Sequence, residues 1–437
     1  MTGEEPPGAG RVALTATQAR RRLLVLTATR WTPTGLLIGL TVLVMLQRGL
    51  SLTEVGVVTS VQGFVVLALE LPTGGLADVL GRRPVLVLAA LVGTVSAVVV
   101  LLAHDVAAFV AAAALQGVHR ALDSGPVEAW YVDTARADDP SAPVERALAA
   151  AGTVLGAAIA TGALLSGGLV AWAPLAGASP LLLPLLLAAA GTVGHLVGVA
   201  LLVREAPPVG ATGGRVWRSV AGTPAAVAEG VRTLRRDPVL RALVAVEVFW
   251  SVAMIGFETF TPVRLAELVG GEDRAGALVG PVSAAGWGLF ALGSVTAGLV
   301  SRRAGVGVTA LLARVLNGAA VVVMGLAAGP AGLVTAFLVA YALHGAAGPM
   351  HSALLHRQAG PGNRATVLSM NSMVAGGVYS LGLLVLAPLA QHTSTATAIV
   401  VAGAFSVLGA VLYLPAIRAE RTATGDRERS VAVADAG

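Results

Sequence analysis

The chain has 437 residues, of which 56% are hydrophobic and 12% charged, and its formal net charge is +5. An ordinary soluble domain carries about 25% charged residues, so the composition excludes a set of soluble domains and points to a chain embedded in a membrane. All 29 basic residues are Arg and Cys is absent, which excludes a P-loop lysine, a Schiff-base lysine, disulfides, iron–sulfur clusters and thiolate metal sites.

A bilayer core of about 30 Å needs ~20 apolar residues per helix. Twelve stretches meet that length: Leu23–Leu46, Val55–Leu76, Pro84–Ala103, Ala107–Tyr131, Ala147–Trp172, Pro180–Val203, Val239–Phe260, Ala277–Val300, Val306–Ala328, Ala331–His351, Val367–Leu389 and Thr395–Ile417. They are apolar all round, without the alternation of a barrel strand, so the predicted fold is all-α with twelve membrane-spanning helices. The first run is too long for a signal-peptide core, and Glu4 and Glu5 precede it, so it reads as a retained span.

Arginine sets the orientation. Arg20, Arg21, Arg22, Arg82, Arg83, Arg232, Arg235, Arg236, Arg302 and Arg303 all fall on one side, while the other side holds only Arg48, Arg264 and Arg274. Both termini are therefore expected in the cytoplasm. The basic charge becomes a topology signal rather than a nucleic-acid footprint, and no nucleic-acid partner is expected.

The expected organisation is a cytoplasmic segment (1–22), a six-helix bundle (23–203), a cytoplasmic central loop (204–238), a second six-helix bundle (239–417) and a cytoplasmic tail (418–437). Within the central loop, Val220, Val227, Val231 and Leu234 alternate with Arg232, Arg235 and Arg236 at helical spacing. This reads either as a surface helix against anionic headgroups or as a plain connector.

The halves echo each other. Gly74 to Gly81 and Gly298 to Gly305 each place two glycines seven apart after spans two and eight. Ala114-Leu115-Gln116-Gly117 and Gly125-Pro126 return as Ala342-Leu343-His344-Gly345 and Gly348-Pro349. Such a repeat predicts pseudo-symmetric bundles with a solute site near the midplane between them.

Gly74-x-Leu76-Ala77-Asp78-x-x-Gly81-Arg82-Arg83 resembles the loop between the second and third helices of the major facilitator superfamily. The resemblance covers essentially the whole chain. It implies transport by alternating access, with Gly74, Asp78, Gly81, Arg82, Arg83 and Asp133 as a conformational latch. In that latch Asp78 meets the start of span eleven, Arg82 or Arg83 bridges to Asp133, and the cluster breaks when the inside opens. A static loop on anionic lipid is the competing reading. Ala158-x-x-x-Gly162-Ala163-x-x-Ser166-Gly167 in span five resembles the pattern of antiporter members, although Ala163 stands where that pattern has Pro. Close helix packing alone gives the same small residues.

Ionisable residues within spans are costly and mark candidate sites. Arg30 and Glu70 lie at matching depth on spans one and two, which predicts an ion pair. Arg120 and Asp123 share a face at i,i+3, so they either pair with each other or leave Arg120 to face the cavity. Glu70, Glu128, Glu247 and Glu258 are candidate proton carriers. Glu247 has a structural alternative in Arg241 or Arg314, and Glu258 in an anchoring position beside Arg264. Trp250, Asn317, His344 and Asn371 are candidate cavity residues. His351 and His356 are five apart rather than four, so no metal site is expected, and no cofactor. Trp31, Trp130, Tyr131, Trp172 and Trp287 fit interfacial belts. No nucleophile–base constellation is evident, so an enzyme is not expected.

The leading expectation is a monomeric, proton-coupled exporter of an apolar or amphipathic, drug-like solute in the cytoplasmic membrane, with protons and lipid as its other partners. The alternatives are a proton-coupled importer of a nutrient or anionic metabolite, and a transporter-like sensor that moves nothing.

Overall fold

The computed structural model describes residues 14–74, 76–205, 225, 227–360 and 363–422, and no strand occurs among them. In chain order the helices are α1 (Ala16–Leu37, resumed as Leu40–Gln47 after a 41° bend), α2 (Leu52–Gly74), α3 (Arg82–Leu102), α4 (Val106–Asp123, resumed as Pro126–Asp138), α5 (Val144–Trp172) and α6 (Leu182–Leu202). Then come α7 (Pro238–Val269, with a π turn at Ile255–Thr259), α8 (Glu272–Ala304), α9 (Val306–Leu326), α10 (Pro330–Gln358), α11 (Arg364–His392) and α12 (Thr395–Thr422). Among the described residues, ten helices are long and apolar enough to cross a membrane, or eleven if the bent α1 is counted as one.

α4 falls outside that number, and the reason is local. The predicted run Ala107–Tyr131 is broken at Ser124-Gly125, where Gly125 has φ +93°. A residue before proline is pushed out of the helical region, and glycine can then take the left-handed conformation. The matching Gly348-Pro349 lies inside continuous α10. The same dipeptide therefore breaks one helix and is absorbed by the other. α1 also departs from its predicted run. It starts at Ala16, on a capping box in which Thr15 and Gln18 satisfy each other's backbone N–H groups. It bends at Gly39 (φ +68°), where a side chain would collide with Val279 of α8.

Helices from the two halves meet at the end away from the 74–81 loop. Gln47 Nε2 donates to Asp273 Oδ1 at 2.8 Å, Leu52 N to Gln391 Oε1 at 2.8 Å, and Ser60 Oγ to the Ser380 carbonyl at 2.8 Å. α5 and α8 touch backbone to backbone there, because a Cβ on Gly280 would fall on the Ala163 carbonyl and one on Gly167 would strike Pro281. Toward the other end, a Cβ added at Gly152, Gly156 or Gly298 would meet nothing within 4 Å. No hydrogen bond or ion pair joins the halves at that end among the described side chains.

Each half closes one helix start with a carboxylate. Glu205, just past α6, accepts from Arg83 N at the start of α3 (2.9 Å). Glu420, late in α12, accepts from Val306 N (3.2 Å) and Gly307 N (3.0 Å) at the start of α9. Negative charge is stabilising at helix N-termini, and both helices are preceded by a glycine at positive φ, Gly81 (88°) and Gly305 (83°). Outward faces of α3, α8, α9 and α12 expose Leu102, Val295, Leu326 and Leu408, as an apolar surroundings requires.

In the central loop, residues 227–236 are helical with Arg232, Arg235 and Arg236 exposed. Gly230 rests against Met370 and Thr366 of α11. Val220, Gly75 and the side chain of Asp78 lie outside the described residues.

Candidate functional site

α1 and the first segment of α4 barely touch. Between them, backed by α3 and α6 and flanked by α2, lies a recess of about 310 Å³. It exists because the surrounding positions carry small side chains: Gly93, Ser96 and Ala97 on α3, and Ala112 and Ala113 on α4. Its polar lining is sparse, with Thr29, Arg30, Gln62, Gln116, His119 and His195 carrying most of the chemistry.

Arg30 donates from Nε to Asp123 Oδ2 at 2.6 Å and from Nη1 to Thr34 Oγ1 at 3.1 Å. It also lies 5.0 Å from the Trp31 ring. This corrects both predicted pairings. Arg30 does not pair with Glu70, and Asp123 does not pair with Arg120. The cause is the break in α4. Asp123 is the last residue of its segment, where the helix end disfavours a carboxylate, and the guanidinium of Arg30 compensates it. Arg120 and Glu128 are exposed and Glu70 is half-buried, and none of the three forms an ion pair with a described residue.

The latch residues divide. Arg82 pairs with Asp133, while Arg83 instead donates to the Ala200 carbonyl at 3.0 Å. The Arg82–Asp133 bridge lies within one half, and Asp78, the remaining charged member of the predicted latch, has its side chain outside the described residues. Gly162 of the span-five motif seats α5 on Thr32 and Leu36 of α1, Gly167 seats it on α8, and Ala163 and Ser166 are buried. Close packing is what these four residues do here.

The C-terminal half places its polar groups in a filled interior. Glu247 Oε1 lies 3.1 Å from His351 Nε2 and accepts from Asn371 Nδ2 at 3.3 Å. His351 Nδ1 is 2.9 Å from the Tyr413 hydroxyl. Arg314 is not the partner of Glu247; it donates to Tyr413 at 3.4 Å and lies 4.3 Å from the Trp250 ring centre. Arg241 is exposed and donates to the Arg235 carbonyl. His344 stacks on Trp250 at 5.0 Å, with Phe290 and Phe257 around it. Asn317 Nδ2 donates to the Ala340 carbonyl at 2.8 Å. Glu247 Oε2, Arg314 Nη1, Asn317 Oδ1, Trp250 Nε1 and His344 Nδ1 are buried without hydrogen-bond partners among the described residues.

Glu258 sits in the π turn of α7, a feature common at functional sites. It accepts from the Tyr341 hydroxyl and lines a small gap that Ile38 and Gly39 of α1 complete. It is not anchored beside Arg264, which pairs with Glu267 at 2.8 Å. Trp130 and Tyr131 are buried rather than in a belt, Trp130 Nε1 donating to the Arg204 carbonyl at 3.0 Å. Trp287 packs on Phe290 and Tyr341, whereas Trp172 is 72% exposed. Among the described residues no cluster of three or more potential metal ligands occurs.

Sequence reasoning passed over His119, His195 and Gln62. A signal for the first was present: Gln116, His119 and Asp123 stand at i, i+3 and i+7, one polar stripe on an apolar helix.

The sequence profile of the family described as Major Facilitator Superfamily matches residues 23–348. No curated protein matches the sequence. Among solved structures, the nucleoside transporter NupG is similar over 91% of this chain and 99% of its own, at 13% identity and TM-score 0.73. A bacterial homologue of the human lysosomal transporter Spinster, in an inward-facing and occupied conformation, is similar over 92% of this chain and 97% of its own, at 14% identity and TM-score 0.73. The human organic anion transporter MFSD10 is similar over 94% of this chain and 100% of its own, at 16% identity and TM-score 0.57. At these identities the likeness shows the fold alone.

Proposed function

This chain belongs to the Major Facilitator Superfamily, and from that premise we propose that it is a proton-coupled secondary transporter that exports a small amphipathic organic solute held in the recess of its N-terminal half. The observation that carries this reading is the recess itself, whose one strong charge, Arg30, is already neutralised by Asp123 at 2.6 Å. An apolar hollow with a few polar groups suits an uncharged ligand with specific hydrogen-bonding atoms. With both termini in the cytoplasm, as the arginine distribution supports, the separated end faces inward and the recess is loaded from the cytoplasm. The halves correspond to residues 23–203 and 239–417, and the chain acts as a monomer.

Glu258 is the proton carrier in this reading. It lies where α1, α7, α8 and α10 converge and has no cationic partner among the described residues. A charged carboxylate in an apolar junction is costly, so adding a proton favours the closed junction and losing it favours separation. Glu247 is the second candidate, held by His351.

A specific observation favours one further reading. Arg120 is exposed and forms no ion pair among the described residues, as an importer of an anionic metabolite would need. Purified protein in liposomes with an imposed pH gradient separates the readings. An uncharged amphipathic aromatic such as para,para′-biphenol is expected to speed collapse of the gradient, and Glu258→Gln to remove that effect. Collapse at the rate of protein-free liposomes would sink proton-coupled export, and anion counterflow lost in Arg120→Ala would establish the importer. Binding without flux would support the sensor.

A further inference from the structure

We propose that the recess selects uncharged organic molecules that carry O–H or N–H donors, with His119 and His195 as the acceptors that read them; this rests on the reading of the recess as the solute site. The tautomers follow from the partners. His119 Nδ1 lies 2.7 Å from the Ala89 carbonyl, which only accepts, so Nδ1 carries the proton and Nε2 of the neutral ring presents a lone pair. His195 Nδ1 lies 3.0 Å from Thr29 Oγ1, and that hydroxyl also reaches the Leu26 carbonyl at 3.2 Å. We assign the Thr29 proton to Leu26, so that His195 donates from Nδ1 and keeps Nε2 as an acceptor.

Both rings line the recess, and neither Nε2 has a partner among the described residues. The His119 ring lies flat on Gly93, where a Cβ would stand 2.8 Å from Nδ1, so its orientation is fixed by packing as well as by Ala89. Gln62 and Gln116 line the same space, their side chains without a hydrogen-bond partner among the described residues. An amide or a hydroxyl offers donor and acceptor together, so the two imidazoles are the groups of the lining that only accept. Arg30 spends its Nε and one Nη1 hydrogen on Asp123 and Thr34, and its Nη2 leaves a donor that an acceptor atom of the same ligand can meet. A ligand without donors leaves both lone pairs buried against it and unpaired, which is where discrimination arises.

The test compares para,para′-biphenol with para,para′-difluorobiphenyl, which has nearly the same shape and no donor. Binding to the full chain in detergent is measured by equilibrium dialysis, corrected with protein-free micelles. The biphenol is expected to bind about tenfold more tightly, from two hydrogen bonds. The preference should shrink to about threefold in His119→Phe or His195→Phe and vanish in the double variant. Thr29→Val leaves both imidazoles in place, releases the His195 tautomer and removes one lining hydroxyl, so it should also weaken the preference. It tests the idea even if a Phe variant fails to elute as a single species. Equal binding of the two compounds, binding of neither, or a preference that survives the double variant overturns the proposal. A donor preference without solute-driven proton flux would sink the transport reading and leave this one standing. Flux without the preference would do the reverse.

Discussion

Gln116 and His344 stand one residue before the glycines that seat α4 on α2 and α10 on α8. A Cβ on Gly117 would strike Gln62 and Val65, and one on Gly345 would strike Phe290. The positions correspond, yet their surroundings are opposite. Gln116 borders an open recess of about 310 Å³. His344 is enclosed by Trp250, Phe257, Phe290 and Tyr341. One backbone arrangement thus carries a hollow in the first half and a packed aromatic and ionic interior in the second. The difference lies in side-chain volume. Where the N-terminal half has Ala113, the C-terminal half has Tyr341, and Trp250, Phe257 and Phe290 add further rings around His344. The lesson is that the repeat conserves helix contacts, while solute capacity belongs to the half that leaves its centre unfilled.

The two ionic clusters offer the sharpest way to break this comparison. Asp123→Ala strands Arg30, which is partly buried and cannot shed its charge, and is expected to cost about 3 kcal/mol of stability, the low end for a broken ion pair. Thermal unfolding in detergent reads this, and adding Arg30→Leu should restore much of the loss. Glu247→Ala in the filled half should cost less, about 1–3 kcal/mol, because His351 can remain neutral when its partner goes. If Glu247→Ala proves the more damaging, Arg30 does not depend on Asp123 in the way their 2.6 Å contact implies.

Filling the hollow tests the comparison from the other side. Ala113→Phe should lower solute binding by at least tenfold, since a ring there occupies the recess. It should leave thermal stability level or slightly higher because a void is filled. Unchanged dialysis affinity would mean that the recess is not where solute sits.

The smallest effects concern what the halves share. Glu205→Gln and Glu420→Gln each remove a carboxylate from a helix start, and each should cost about 0.3–1 kcal/mol. Similar losses would support the two as equivalent devices. A loss confined to Glu420→Gln would trace to its additional pair with Arg357 at 2.8 Å.

Much of the fold was legible because the signals were local. Long apolar runs announced helices, and Gly81 and Gly305 marked equivalent turns. The site was less legible because its pairings join residues far apart in the chain. Arg30 and Asp123 are individually conspicuous, but helical depth alone matched Arg30 with Glu70, and i,i+3 spacing matched Asp123 with Arg120. Both rules treat α4 as one straight rod. The break at Gly125 removes that premise. His195 gave no signal at all: its meaning comes only from Thr29 on a helix far earlier in the chain.

The sequence by itself determined the solvent, the helical class, the family and the existence of two related halves, because apolar run length, small-residue motifs and arginine placement act within a few turns of chain. Only the tertiary structure decided which half is hollow, which carboxylate meets which cation and which backbone and hydroxyl groups hold the two imidazoles at Nδ1. Those depend on helix rotation and on side-chain volumes from five helices at once, and no single stretch of sequence contains them.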